Sequence, residues 1–125
     1  VSEGSPLPDD PHAFALAWAA AWNARDLESA LAHFKDDAVF SSPIARKMGR
    51  GIEGVVTGKA AIREYWTAAL VLNPQLNFTV RSVYAGVDVI VIGFETQDGT
   101  QRTEVLIFED GLVKTGFGTT ATGGA

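Results

Sequence analysis

The stretch DVIVIGFETQDGTQRTEVLIFEDGLVKTGFGT, residues 88–119, decides the fold. Asp88 to Thr96 is dense in β-branched and aromatic residues, which suit a pleated strand. Asp98-Gly99 follows it, and Asp-Gly between apolar runs is a hairpin signal. Thr103 to Glu109 predicts a second strand, Asp110-Gly111 a second turn, and Leu112 to Thr119 a third strand. A further strand precedes them. Leu76, Phe78 and Val80 alternate with Asn77, Thr79 and Arg81, the period of two of a half-buried strand.

Working back toward the N-terminus, the period changes to that of helices. Asp10 followed by Pro11 is a helix start, an N-cap acceptor before proline at the first position. Phe14, Trp18, Ala21, Trp22 and Arg25 then recur at three- and four-residue steps. Asp26 predicts a second, shorter helix with Leu27, Leu31 and Phe34 inside, ended by Asp36-Asp37. Ala38 to Ser41 predicts a short strand closed by Pro43. Residues 44–58 hold Gly49, Gly51, Gly54 and Gly58 and predict a long irregular loop, the kind that is functional or mobile. Lys59 to Leu72 predicts a third helix, stopped by Asn73-Pro74.

Three helices followed by an antiparallel meander give an α+β layer fold. Residues 1–10 are expected to be a loose leader, 11–119 one domain and 120–125 a frayed tail. Helices cover one sheet face only. Yet Ile90, Ile92 and Phe94 lie on one face, Val89 and Val91 on the other, and Val105 and Ile107 repeat the pattern. A homodimer through the outer sheet face is the simplest cover for the second face. Folding back of the leader or tail is the alternative.

Composition sets limits on function. The chain has 125 residues, 46% of them apolar, and a net charge of −5. That size fits one core. The acidic balance argues against nucleic acid, which is met by basic patches. No apolar run of membrane-spanning length occurs. The opening VSEGSPLPDD lacks the pattern of a signal peptide, so a cytoplasmic location is expected. There is no cysteine, which removes disulfides and thiolate zinc sites. His12 and His33 have no partner at metal-ligand spacing, so no metal is expected. No phosphate-loop or G-x-S-x-G motif occurs.

The run Trp22-Asn23-Ala24-Arg25-Asp26-Leu27, with Phe34, Asp36-Asp37-Ala38-Val39-Phe40 and Ser42-Pro43, resembles the NTF2-like superfamily. The SnoaL-like and ketosteroid-isomerase-like branches are nearest. Gly58-Lys59-Ala60-Ala61-Ile62-Arg63-Glu64-Tyr65 resembles the G-x-x-A-I-R-E-[FY] opening of that family's third helix. Glu104-Val105-Leu106-Ile107-Phe108 with Asp110-Gly111 resembles its penultimate strand and turn. The resemblance implies a cystatin-like cone, with three N-terminal helices on a curved antiparallel sheet and an apolar pocket between them. It does not fix an activity, because one fold hosts many.

Carried over by position, the isomerase's general-base carboxylate falls at Ser42, its first-helix tyrosine at Trp18 and its third-helix tyrosine at Trp66. Its second acid corresponds to Glu104. A serine without a partner base does not take a proton from carbon at neutral pH. Steroid isomerisation by that route is therefore not expected.

Glu104 is the candidate catalytic residue. It shares a strand face with Leu106 and Phe108, and an apolar setting raises a carboxyl's pKa toward neutrality. A place at the strand's open rim, or pairing with Arg102 or Arg63, is the competing expectation. The candidate binding residues are Trp18, Trp66, Ser42, Tyr65, Ile90, Ile92, Phe94, Leu106 and Phe117, around a small cyclic apolar molecule. No cofactor is implied. Arg46, Lys47 and Arg50 form either a charged lid or a solvated loop. Three functions stay open: a cofactor-independent isomerase, cyclase or hydro-lyase; a binding module; and an accessory domain with a filled cone.

Overall fold

Asp10 Oδ1 accepts the Ala13 N–H at 3.1 Å and starts α1, Pro11–Asn23, in the computed structural model, which describes residues 5–123. Asp26 caps α2, Leu27–Leu31, in the same way, accepting the Ser29 N–H at 3.2 Å. The helices thus begin where their cap residues predict.

β1 runs Phe34–Ser41 and begins earlier than the expected Ala38. Asp36 and Asp37 do not end a helix. They sit exposed where the pairing register of β1 shifts, between Phe34 and Val39. The expected long loop is also more ordered than its glycines suggest. It contains α3, Pro43–Lys47, and β2, Val55–Thr57. Pro43 opens α3 rather than closing a strand. Gly54 has φ +84°, and a Cβ there would meet the Arg46 backbone nitrogen at 2.7 Å. That glycine therefore permits the close approach of the loop to α3.

α4, Lys59–Leu72, occupies its predicted span. β3 is Thr79–Ala85, later than the alternation at Leu76 to Arg81 suggests. Leu76 and Phe78 are still buried, but as a docked approach to the strand. Asn23 holds that approach: its Oδ1 accepts the Phe78 N–H at 2.8 Å and its Nδ2 donates to the Phe78 carbonyl at 3.0 Å. Arg25, at φ 61°, donates to the Leu76 and Pro74 carbonyls. This explains the Asn-Ala-Arg run after α1: it satisfies backbone groups that no strand partner reaches.

β4, Val89–Glu95, β5, Gln101–Glu109, and β6, Leu112–Thr120, complete a six-stranded sheet in the order β2-β1-β6-β5-β4-β3. Pairing is antiparallel throughout except between β1 and β6, which run parallel. The parallel contact is not anticipated by the meander alone. Thr120 lies in β6, inside the expected tail, and Leu7 of the expected leader packs against the core. Residues 1–4 and 124–125 of those two segments lie outside the described residues.

The concave face of the sheet carries Ile90, Ile92, Phe94, Leu106 and Phe108, all buried in one core shared with residues of α1, α2 and α4. The convex face is only half covered. Val89, Val91, Val105 and Ile107 are partly exposed there. No helix among the described residues is long and apolar enough to cross a membrane.

Candidate functional site

A cavity of about 210 Å³ opens between the concave sheet face and the helices. α1 supplies Trp18 and Trp22, one helical turn apart. α4 supplies Tyr65, Trp66, Ala69 and Leu72. The sheet supplies Phe40, Phe94, Arg102 and Glu104, and α3 with its flanks supplies Ser42, Ile44 and Met48. Asn73, Leu76 and Phe78 close one side.

The wall is aromatic and mutually braced. Trp18 stacks on Phe78, with centroids 5.5 Å apart and planes 16° from parallel, and meets Phe94 edge-on at 4.9 Å. Trp22 meets Trp66 edge-on at 5.0 Å, and Trp66 meets Phe40 in the same way at 5.5 Å. Edge-to-face and offset contacts are the favoured aromatic arrangements and hold these rings in place. The indole N–H groups of Trp18 and Trp22 are buried without a protein acceptor.

Two polar pairs interrupt this wall. Ser42 Oγ accepts the Ala45 N–H at 2.9 Å as the N-cap of α3, and shares a hydrogen bond of 2.9 Å with Tyr65 Oη. Burial pushes the Tyr65 phenol pKa up, against smaller downward pulls from Ser42 and Arg102. The second pair is Arg102 and Glu104, two residues apart on the inner face of β5. Glu104 is only 5% exposed, and its carboxyl receives no hydrogen bond from any described residue. Burial pushes its pKa up to about 8, and the charge of Arg102 pulls the other way. The two do not close into a salt bridge. Arg102 instead lies over Phe94, its Cζ 5.7 Å from the ring centroid.

Gly118 makes room for the acid. It lies directly across from Glu104 on β6, and a Cβ there would come within 3.0 Å of Ser42 Cβ and 3.6 Å of Glu104 Oε1.

Of the residues singled out in the sequence, Trp18, Trp66, Ser42, Tyr65, Phe94 and Glu104 meet around this cavity. Ile90, Ile92 and Leu106 do not. They share the inner face but are fully buried in the core beside the cavity. Phe117 is misplaced by the sequence reading: it sits on the outer face, 38% exposed. The reason is a register shift between β5 and β6, where Phe108 pairs with Val113 but Ile107 pairs with Thr115. The extra residue, Lys114, reverses the inward parity, as a β-bulge does. Val113 therefore faces in, and so do Gly116 and Gly118, but Phe117 faces out. Sequence reasoning missed the other wall residues, among them Trp22, Phe40, Phe78 and, as the one charged member, Arg102. The signal for Arg102 was present, since it alternates in phase with Glu104, Leu106 and Phe108.

Other features stay apart from the cavity. Arg50 lies 3.7 Å from Glu64, and His33 packs edge-on to Phe14. Among the described residues no three acidic, histidine or cysteine side chains converge to hold a metal.

Residues 15–123 match the family described as the SnoaL-like domain. The chain belongs to the SnoaL-like family. Its fold is NTF2-like, as in related solved structures. A SnoaL-like protein of unknown function from Burkholderia thailandensis is 31% identical, with a TM-score of 0.84 over 93% of this chain and 98% of that one. TerC, co-crystallised with polyporic acid, is 22% identical, with a TM-score of 0.71 over 90% of this chain and 93% of that one. A candidate polyketide cyclase from Sinorhizobium meliloti is 16% identical, with a TM-score of 0.66 over 90% and 94%. At these lower identities the likeness is one of fold. No curated protein matches the chain.

Proposed function

We propose that this SnoaL-like protein is a cofactor-independent acid–base enzyme acting on a small cyclic molecule, with Glu104 as the proton-transferring group. One observation carries the proposal: a buried carboxyl, free of protein hydrogen bonds, on the wall of an aromatic cavity. With its pKa pushed to about 8, Glu104 is mostly protonated at neutral pH. A carboxylic acid kept neutral by an apolar site can donate to a carbonyl oxygen. The carboxylate so formed can then take the proton that the substrate's carbon loses as the product forms, which restores the acid. Isomerisation, cyclisation and loss of water all fit that role. Trp18, Trp66 and Phe94 would hold the ring.

The test is Glu104→Gln. The amide keeps the shape and a hydrogen-bond donor but transfers no proton. Turnover of cyclic ketones or polyketide-like aromatics should fall by roughly 10²–10⁴-fold. Quenching of tryptophan fluorescence by the same compounds should persist. An unchanged rate ends the proposal.

A second reading has its own support. Ser42 stands where the related isomerases place their base, and its hydroxyl is committed to Ala45 and Tyr65. That favours a protein that holds a ring compound without converting it. Binding without turnover in the wild type would select this reading. We also infer a homodimer through the outer sheet face, on the strength of its half-exposed valines, Ile107 and Phe117.

A further inference from the structure

We propose that Arg102 makes the cavity selective for acids: its ligand is a planar ring bearing an anionic oxygen, with the charge at Arg102 and the ring against Trp18 and Phe94. The inference rests on the cavity being a ligand site, but not on Glu104 transferring a proton.

The argument begins with charge pairing. Lys35, Arg50, Lys59, Arg63, Arg81 and Lys114 each have a carboxylate within 4.0 Å. Arg25 is spent on backbone carbonyls. Arg46 and Lys47 are exposed on α3 and need no partner. Arg102 is different. It is partly buried, its Nε is buried without an acceptor, and no described residue forms a hydrogen bond or salt bridge with it. A partly buried guanidinium whose Nε meets neither water nor an acceptor lacks a counter-charge, and an anion supplied by a ligand would provide one.

The surroundings say where the anion sits. Arg102 borders both the aromatic cavity and a shallow outer depression that also includes Lys47 and Asp98. It therefore stands at the mouth, with the flat wall of Trp18 and Phe94 further in. Asp98 is already engaged with Thr96 and Thr100. Glu104, largely protonated at neutral pH, adds little competing negative charge. The site thus presents one unmatched positive charge at the edge of an apolar slot. A neutral ring would fill the slot and leave the cation unanswered. A ring acid answers both.

The experiment compares benzene, naphthalene and anthraquinone carboxylates with their methyl esters, titrated at neutral pH by calorimetry and tryptophan fluorescence. In the wild type, at least one acid should bind about tenfold or more tightly than its ester, the value of a charge-assisted hydrogen bond. In Arg102→Gln the acid should weaken to the level of the ester, whose own affinity should hold. Arg102→Lys keeps the charge without the fork and should retain part of the preference, which guards against a variant that merely misfolds. Equal binding of acid and ester by the wild type, a preference that survives in Arg102→Gln, or no binding of any pair overturns the proposal. Glu104→Gln separates it from the catalytic reading: that variant should lose turnover yet keep the preference for the acid.

Discussion

Glu104 keeps a proton that the unfolded chain gives up. Its carboxyl ionises near 4.5 when exposed and near 8 in the fold. Between those values the folded state binds more protons than the unfolded state, so stability falls as pH rises. The decline should run from about pH 4.5 to about 8 and then level off, at a cost on the order of a few kcal/mol. Glu104→Gln removes the titration. Urea denaturation across this range should show the variant gaining on the wild type as pH rises. A constant difference would mean that the carboxyl is solvated. The same residue gives a signature of occupancy. Arg102 pulls the Glu104 pKa down. A ligand anion seated on Arg102 cancels that pull, so binding near pH 8 should take up protons. Calorimetry in buffers of differing ionisation enthalpy reads this directly.

At the scale of elements, α3 shows how a short helix hides in a glycine-rich sequence. Five residues carry too little periodicity to register, and only Ser42-Pro43 marks its start. Ser42 looked like a failed catalytic base, yet its hydroxyl caps this helix and holds Tyr65. Ser42→Ala should cost about 1–2 kcal/mol in urea unfolding. It should also raise the Tyr65 pKa further, because the removed hydrogen bond pulls it down. No loss of stability would mean that the cap is idle. The longer elements were legible because burial on one face imposes a period. α1 and α4 lie where their aromatic and apolar residues recur, and β4 to β6 lie where Asp-Gly turns divide them. The inner face of β5 was legible too, and it placed Glu104 correctly. Phe117 was not, because alternation cannot reveal a bulge at Lys114. The start of β1 was missed for a related reason: two aspartates at a register shift look like a break in the chain.

At the scale of the whole molecule, the convex face is the unfinished surface. Val89, Val91, Val105, Ile107 and Phe117 are spread over the outer side of three adjacent strands. A contiguous apolar patch of this kind marks an interaction surface. If two copies meet there, Val105→Asp should leave a folded monomer, because like charges would face each other across the two-fold axis. Light scattering after size exclusion tests this. A wild type that elutes as a monomer at micromolar concentration would remove the dimer from the picture.

The sheet order β2-β1-β6-β5-β4-β3 has a consequence for how the chain is made. Of the six strands, the last in chain order is an interior one, between β1 and β5. A growing chain still lacking β6 has a β1–β2 piece and a β3–β4–β5 piece with no strand to pair them into one sheet. Helices already emerged have no closed concave surface to cover. A complete sheet, and with it the closed aromatic wall, therefore forms only after β6 has left the ribosome.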